Sequence, residues 1–205
     1  MSWTIIKNDD NKAEFEEFSK ALALAAEKRI LMLGAASDEG YIHDNLPYPA
    51  KANGVICIGA AKDSGVAEEA ARKDGDFFFP GANFESASGE SKNRHGQMYI
   101  SGSSFATALA SGFTALLLYC VEVAVELGEN PSTRDEDKRL FSRIKSKHRQ
   151  QLQDHETLRK VFKGMCIHKG AGIYIPFFRS DFKLKDWRDN KHKREFFNVI
   201  EKILR

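Results

Sequence analysis

The sequence predicts an α/β fold, a parallel sheet flanked by helices, followed by a mainly helical, basic C-terminal extension. Three observations predict it. Residues 30–36 (Ile-Leu-Met-Leu-Gly-Ala-Ala) and 55–60 (Val-Ile-Cys-Ile-Gly-Ala) are continuous apolar runs, short enough for strands buried on both faces. Residues 12–29 place Phe15, Phe18, Leu22, Ala25 and Ala26 at spacings of three and four, with charges elsewhere, the period of a one-sided helix. The order strand, helix, strand requires a crossover, which is right-handed and makes neighbouring strands parallel.

The elements follow in order. The first apolar run ends in the polar turn Ser37-Asp38-Glu39-Gly40, which places Asp38 at the carboxyl end of a strand. Sites in parallel sheets form at that edge. Gly102-Ser103-Ser104 is a turn, and Phe105-Ala106-Thr107-Ala108 opens a small, apolar helix behind it. Residues 109–125 continue that helix. Ser111, Gly112, Thr114 and Glu122 interrupt them, so no uninterrupted apolar stretch reaches the ~20 residues of a membrane span, and no membrane partner is expected. Gly128-Glu129-Asn130-Pro131 reads as a helix stop and a boundary, giving domains 1–128 and 129–205. The charge changes there as well. Residues 1–125 carry 11 Lys/Arg against 17 Asp/Glu, and residues 126–205 carry 20 against 12.

In the extension, residues 134–163 are polar and helix-prone, with a broken stripe of Leu140, Ile144, Leu152, Leu158, Val161 and Phe162. Residues 173–178 (Ile-Tyr-Ile-Pro-Phe-Phe) read as a short strand stopped by proline. Phe196, Phe197, Ile200, Ile203 and Leu204 form one face of a last helix. Lys191-His192-Lys193-Arg194 near Trp187 is taken as a solvated helix face, because acidic residues are interspersed and no nucleic-acid motif accompanies it. A nucleic-acid partner is therefore not expected. His148, His155 and His168 lack metal-ligand spacing with the cysteines, so no metal site is expected. Residues 164–172 lack the Lys-Ser/Thr of a phosphate-cradling loop.

Composition bounds the rest. A hydrophobic fraction of 42% with 15 Phe supplies a packed core for 205 residues. No basic-plus-apolar leader opens the sequence. Three widely spaced cysteines fit a reducing, intracellular compartment better than a disulfide framework.

The chemistry-bearing element is Ser104. A serine at a helix N-terminus has an exposed hydroxyl with backbone N–H donors in front of it, which a nucleophile attacking a carbonyl requires. The competing reading of the turn alone is an ordinary serine cap. The surrounding segments weigh against it. Met1-Ser2-Trp3-Thr4 resembles the substrate-pairing strand of subtilisin-like serine proteases (subtilases, peptidase S8 type). Ala35-Ala36-Ser37-Asp38-Glu39-Gly40 resembles their Ala-Ala-Gly-Asn-Glu-Gly oxyanion turn. Tyr48-Pro49-Ala50 with residues 55–60 resembles their Tyr-Pro-Ala segment and following strand. Phe79-Pro80-Gly81 matches their Ala-Pro-Gly turn. Gly102-Ser103-Ser104-Phe105-Ala106-Thr107-Ala108 resembles Gly-Thr-Ser-Met-Ala-x-Pro. Five segments stand in the family's order, over about residues 1–125, the C-terminal half of a subtilase catalytic domain.

The resemblance implies a serine endopeptidase working without a cofactor on a polypeptide substrate. It implies Ser104 as nucleophile and Asp38 at the oxyanion-hole position. Ser2, Trp3 and Thr4 would pair with substrate as an added strand, and Ala35, Ala36 and Ser37 would wall the pocket for the residue before the scissile bond. The sequence departs from the family's pattern in five respects. The family's Asp and His motifs, which precede the Met-Ser strand, are absent, so the chain is expected to be a fragment that needs the N-terminal half as a partner. His95-Gly96 stands in the wrong place for the base and is taken as a solvated loop histidine. Asp38 replaces the usual Asn, whose donated hydrogen bond is worth roughly 2.7–4 kcal/mol to the oxyanion. Ser103 replaces Thr, Ala108 replaces Pro, and Ser37 replaces Gly. A catalytically inactive subtilase-like binding module is the alternative.

Overall fold

The computed structural model describes residues 1–38, 47–62, 64–68, 74–85, 99–133, 135–169, 172–174 and 201. Helix α1 (Lys12–Glu27) leads into strand β1 (Met32–Ala35), and β2 (Val55–Ala61) and β3 (Phe77–Pro80) follow. A small hairpin pairs β4 (Phe84–Glu85) antiparallel with β5 (Tyr99–Ile100). Then come α2 (Ser103–Glu129), α3 (Asp135–Phe141), α4 (Ser146–Leu152), α5 (His155–Met165), β6 (Ile167–Lys169) and β7 (Gly172–Tyr174). The main sheet has the order β1-β2-β3-β7-β6. The pairs β1–β2, β2–β3 and β3–β7 are parallel, and β6–β7 is an antiparallel hairpin.

Contacts divide the chain into two compact units. The first comprises Met1–Ser111 with Cys166–Pro176, the second Gly112–Met165 with Phe177–Arg205. The division falls within α2.

In the first unit the two expected strands form, as Met32–Ala35 and Val55–Ala61, every residue buried. A strand covered on both faces has no polar side to alternate with, which is why the runs are continuous. The strand β3 was not expected. Only its last residues, Phe79-Pro80, stood out, and as part of a turn. Phe77, Phe78 and Phe79 are all buried, and proline is tolerated at the end of the strand, where the ladder stops. The expected strand at 173–178 forms over Gly172–Tyr174; the rest of it lies outside the described residues. It adds to β3 of the first unit, so part of the C-terminal segment belongs to the sheet rather than to a separate helical extension.

Helix α1 matches its expected span at the start and ends two residues early. Asn8 and Asn11 exchange backbone-to-side-chain hydrogen bonds ahead of it, at 2.9 and 3.0 Å. It buries Phe15 and Leu22, and Phe18, Ala25 and Ala26 pack beside Leu22, Met32 and Val55. Arg29 adopts a left-handed φ of 56°, and Arg29 N–H and Ile30 N–H return to the carbonyls of Ala26 and Ala25. That pair of bonds closes the helix end.

The second unit is helical. Phe113 stacks on Phe162 at 6.0 Å. Leu117, Val121, Phe141, Ile144, Leu152, Leu158, Val161 and Phe162 are buried, so the predicted stripe faces a core, except Leu140, whose side chain is outside the described set. Asp154 caps α5 through Thr157 N–H at 2.8 Å. Along α2, buried residues recur at helical spacing, while Leu116 and Tyr119 are 43% and 66% exposed. By length and composition alone α2 is also apolar enough to cross a membrane, which counting uninterrupted apolar residues had missed. Small polar residues such as Ser111, Gly112 and Thr114 break the run without making the helix polar.

Candidate active site

The carboxyl edge of the sheet brings three chain segments together. The end of β1 delivers Ser37 and Asp38, the end of β3 delivers Gly81, and α2 begins beside them. Gly102 N–H donates to the Gly81 carbonyl at 2.7 Å. Gly102 has φ +156°, and a β-carbon there would lie 2.8 Å from Asp38 Oδ2, so glycine alone fits.

The turn and the strand end clasp each other reciprocally. Ser103 N–H donates to Asp38 Oδ1 at 2.7 Å, and Ser37 N–H donates to Ser103 Oγ at 3.3 Å. Ser103 is 1% exposed, and its carbonyl accepts from Thr107 Oγ1 at 2.7 Å, so its N–H, carbonyl and hydroxyl oxygen all have partners inside the protein. The Asp38 carboxylate thus sits at the positive end of α2, where a negative charge is favoured.

Ser104 follows as the second residue of α2 and is half-buried. Its hydroxyl donates to the Ser2 carbonyl at 2.7 Å, joining residues 102 positions apart. Thr4 and Trp3 are exposed, and Trp3 packs its ring 5.5 Å from Phe18. The segment is held by Met1, whose carbonyl accepts from Ala35 N–H at 3.1 Å, and by Ile5, which bridges Tyr48. Ala35 and Ala36 are buried, Ala36 against Ala50 and Cys57. Ser37 has φ +95°, a left-handed backbone that costs a residue with a side chain about 1–3 kcal/mol and costs glycine little. That is the conformational reason a glycine suits this position.

The structure therefore gathers Ser2, Ala35, Ser37, Asp38, Ser103 and Ser104 at one edge. His95, Lys191, His192, Lys193, Arg194 and Trp187 lie outside the described residues. The sequence reading missed the clasp itself. The signal available for it was a carboxylate and a hydroxyl flanking two turns that the resemblance already placed together. Chemically, the edge offers a hydroxyl at a helix N-terminus, the exposed segment Ser2–Thr4 beside it, and an acceptor at Asp38.

The subtilase family model matches residues 1–122. No relative was found among curated proteins. Among solved structures, a lanthipeptide protease is 15% identical with TM-score 0.52, covering 87% of this chain and 59% of its own. The PatG macrocyclase in complex with peptide is 15% identical with TM-score 0.50, covering 91% and 47%. A mutant of the PatA protease domain is 22% identical with TM-score 0.49, covering 77% and 49%. The chain thus spans about half of the length of these structures, and by the family match over residues 1–122 the chain belongs to the subtilase family.

Proposed function

We propose that this chain is the serine-bearing half of a serine endopeptidase catalytic unit. The observation that carries the reading is the Ser104 hydroxyl, placed at the start of α2 and 2.7 Å from the Ser2 carbonyl. In the reaction, Ser104 Oγ attacks the scissile carbonyl and a base takes its proton. The tetrahedral oxygen takes the Ser104 N–H as a donor. The C–N bond breaks, the base returns the proton to the leaving amine, and water then cleaves the acyl ester. Ser2, Trp3 and Thr4 pair with the substrate as an added strand, and Ala35, Ala36 and Ser37 back the adjoining pocket. The substrate is a polypeptide, in keeping with the peptide bound in the PatG macrocyclase structure. The aspartate and histidine come from an N-terminal half of the domain, because a serine without its base retains little reactivity.

The test is labelling by a fluorophosphonate. The chain alone should label negligibly. Joined to a segment carrying the family's Asp and His motifs, it should label at Ser104, and Ser104→Ala should abolish the label. Strong labelling of the chain alone overturns the need for a second half.

One observation favours a non-catalytic binding module instead. Asp38 Oδ1 accepts a hydrogen bond from Ser103, so the oxyanion position carries an acceptor where a donor is needed. Absence of labelling in the joined protein, with polypeptide binding retained, selects that reading.

A further inference from the structure

We propose that the basic face running from the end of α3 through α4 is a docking site for an acidic, extended stretch of polypeptide. The inference rests on the peptidase reading for the partner being a polypeptide, and on the face itself for its acidity.

From Lys138 to Gln153 the sequence holds six Lys/Arg and no Asp/Glu. The fold turns Phe141, Ile144, His148 and Leu152 of this stretch inward. Arg139, Arg143, Lys145, Lys147 and Arg149 are left exposed. A solvated helix face ordinarily mixes charges of both signs. Helix α5 does so, with Arg159 Nε 3.8 Å from Glu156 Oε1 three residues away. The face from Lys138 to Gln153 has no acid of its own and takes carboxylates from other segments of the second unit. Arg149 Nε lies 2.7 Å from Glu122 Oε2 on α2, and Arg143 Nη1 lies 3.5 Å from Glu201 Oε2. Both arginine side chains stay more than half exposed. Arg139, Lys145 and Lys147 form no ion pair among the described residues. The uncompensated charge reaches the core. Burial lowers the pKa of His148, and the Lys147 and Lys145 charges lower it further, against the opposing Glu201.

The chemistry of this face chooses among anionic partners. Two of its arginines already hold carboxylates, the group that an acidic polypeptide carries, and the guanidinium fork suits that group. Single-stranded nucleic acids are held by stacking rings as well as by cations, and the rings of this stretch, Phe141 and His148, are buried. Membrane surfaces are entered by exposed apolar side chains, and Ile144 and Leu152 are buried too. What remains at the surface is cationic side chains with Gln150, Gln151 and Gln153 between and beyond them, all exposed. Such a surface attracts carboxylates and donates hydrogen bonds to a peptide backbone, without a pocket that demands one side chain. The occupant is therefore defined by its acidity and its extended form.

The experiment uses the full chain. It is titrated with a fluorescent peptide of alternating Glu and Ser, and anisotropy is read. The same peptide with Gln in place of Glu is the control. At low salt the Glu peptide should bind about tenfold more tightly or better, and the difference should shrink as added salt screens it. Lys145→Ser with Lys147→Ser should weaken the Glu peptide by about fivefold or more. Lys20→Ser with Lys28→Ser removes the same charge from exposed positions of α1 and its end, and should leave binding within about twofold. Equal binding of the two peptides overturns the proposal. An equal loss in the two double variants also overturns it, because net charge alone would then account for binding. A thymidine oligonucleotide, or phosphatidylcholine vesicles containing phosphatidylserine, bound more tightly than the peptide through Lys145 and Lys147 gives the face to another partner and overturns it as well. The binding is read without catalysis, so the two readings separate. Peptide binding by a joined protein that a fluorophosphonate does not label upholds the basic face and overturns the peptidase reading. Labelling without peptide binding does the reverse.

Discussion

In the sheet unit, the closest approaches are made where a side chain is missing. A β-carbon on Gly81 would lie 2.6 Å from Ala60 Cβ and 3.0 Å from Ala106 Cβ, and one on Gly59 would lie 2.5 Å from the Phe78 ring. In the helical unit, the centre is made of large side chains, Phe162 against Phe113, with Phe141 and Leu158 buried around them. The sheet unit cannot accept volume where Ser104 is placed, and the helical unit cannot lose it. The position of Ser104 is set by close backbone approaches, which glycine permits. The described helical core is set by side-chain volume.

The largest effect expected from this contrast is in the helical unit. Phe162→Ala should cost about 3–5 kcal/mol, because a fully buried ring leaves a cavity behind. Thermal or urea unfolding checks it, and a loss well under 1 kcal/mol would show that the stack with Phe113 is not central.

Gly81→Ala comes next, at about 1–3 kcal/mol for overpacking. The added methyl meets a strand on one side and α2 on the other, neither a flexible side-chain end. Relief requires moving the first turn of α2, so labelling of Ser104 in the joined protein should fall beyond what lost stability explains. Unchanged labelling would show that the Gly102 turn alone sets the position of Ser104.

Asp38→Asn should cost no more than about 1 kcal/mol, the usual worth of a charge at a helix N-terminus. Asn keeps an acceptor for Ser103 N–H and gains a donor for the oxyanion. Labelling should therefore hold or rise. A tenfold fall would identify Asp38 as necessary in its charged form.

The same contrast explains what was legible. The strands β1 and β2 were readable because burial on both faces leaves a continuous apolar run, and α1 because one face is apolar. Gly102 and Ser104 were legible because turn chemistry is local, and Asp38 because the resemblance placed it. The strand β3 was not, because three phenylalanines before a proline carry no period, and Pro80 drew attention to the turn. The reciprocal bonds among Ser37, Asp38 and Ser103 were not, because they link positions about 65 apart and depend on a left-handed φ at Ser37. In the helical unit the stripe of Ile144, Leu152, Leu158, Val161 and Phe162 gave the buried face, while the pairing of Phe162 with Phe113 had no local signature.

The smallest effect concerns His148, read only as a histidine without a metal partner. It is 3% exposed, and its Nδ1 accepts a hydrogen bond from Lys145 N–H at 3.0 Å, closing the start of α4. Burial holds its pKa below the ordinary 6.5, the Lys147 and Lys145 charges add to that, and Glu201 opposes it. Glu201 is itself engaged by Arg143 at 3.5 Å. The unfolded chain therefore takes up this proton first as pH falls. Between the lowered folded value and 6.5 the unfolded state binds more protons, so stability rises with pH across that window. The full benefit is present above 6.5 and is lost as pH falls through the window, because a protonated Nδ1 donates and can no longer accept from Lys145. His148→Gln keeps a possible acceptor and removes the titration. Melting temperatures at pH 7.5 and pH 5.5 should therefore fall further apart in the unsubstituted protein than in His148→Gln. Equal separations in both would mean that another group controls the acid sensitivity of the helical unit.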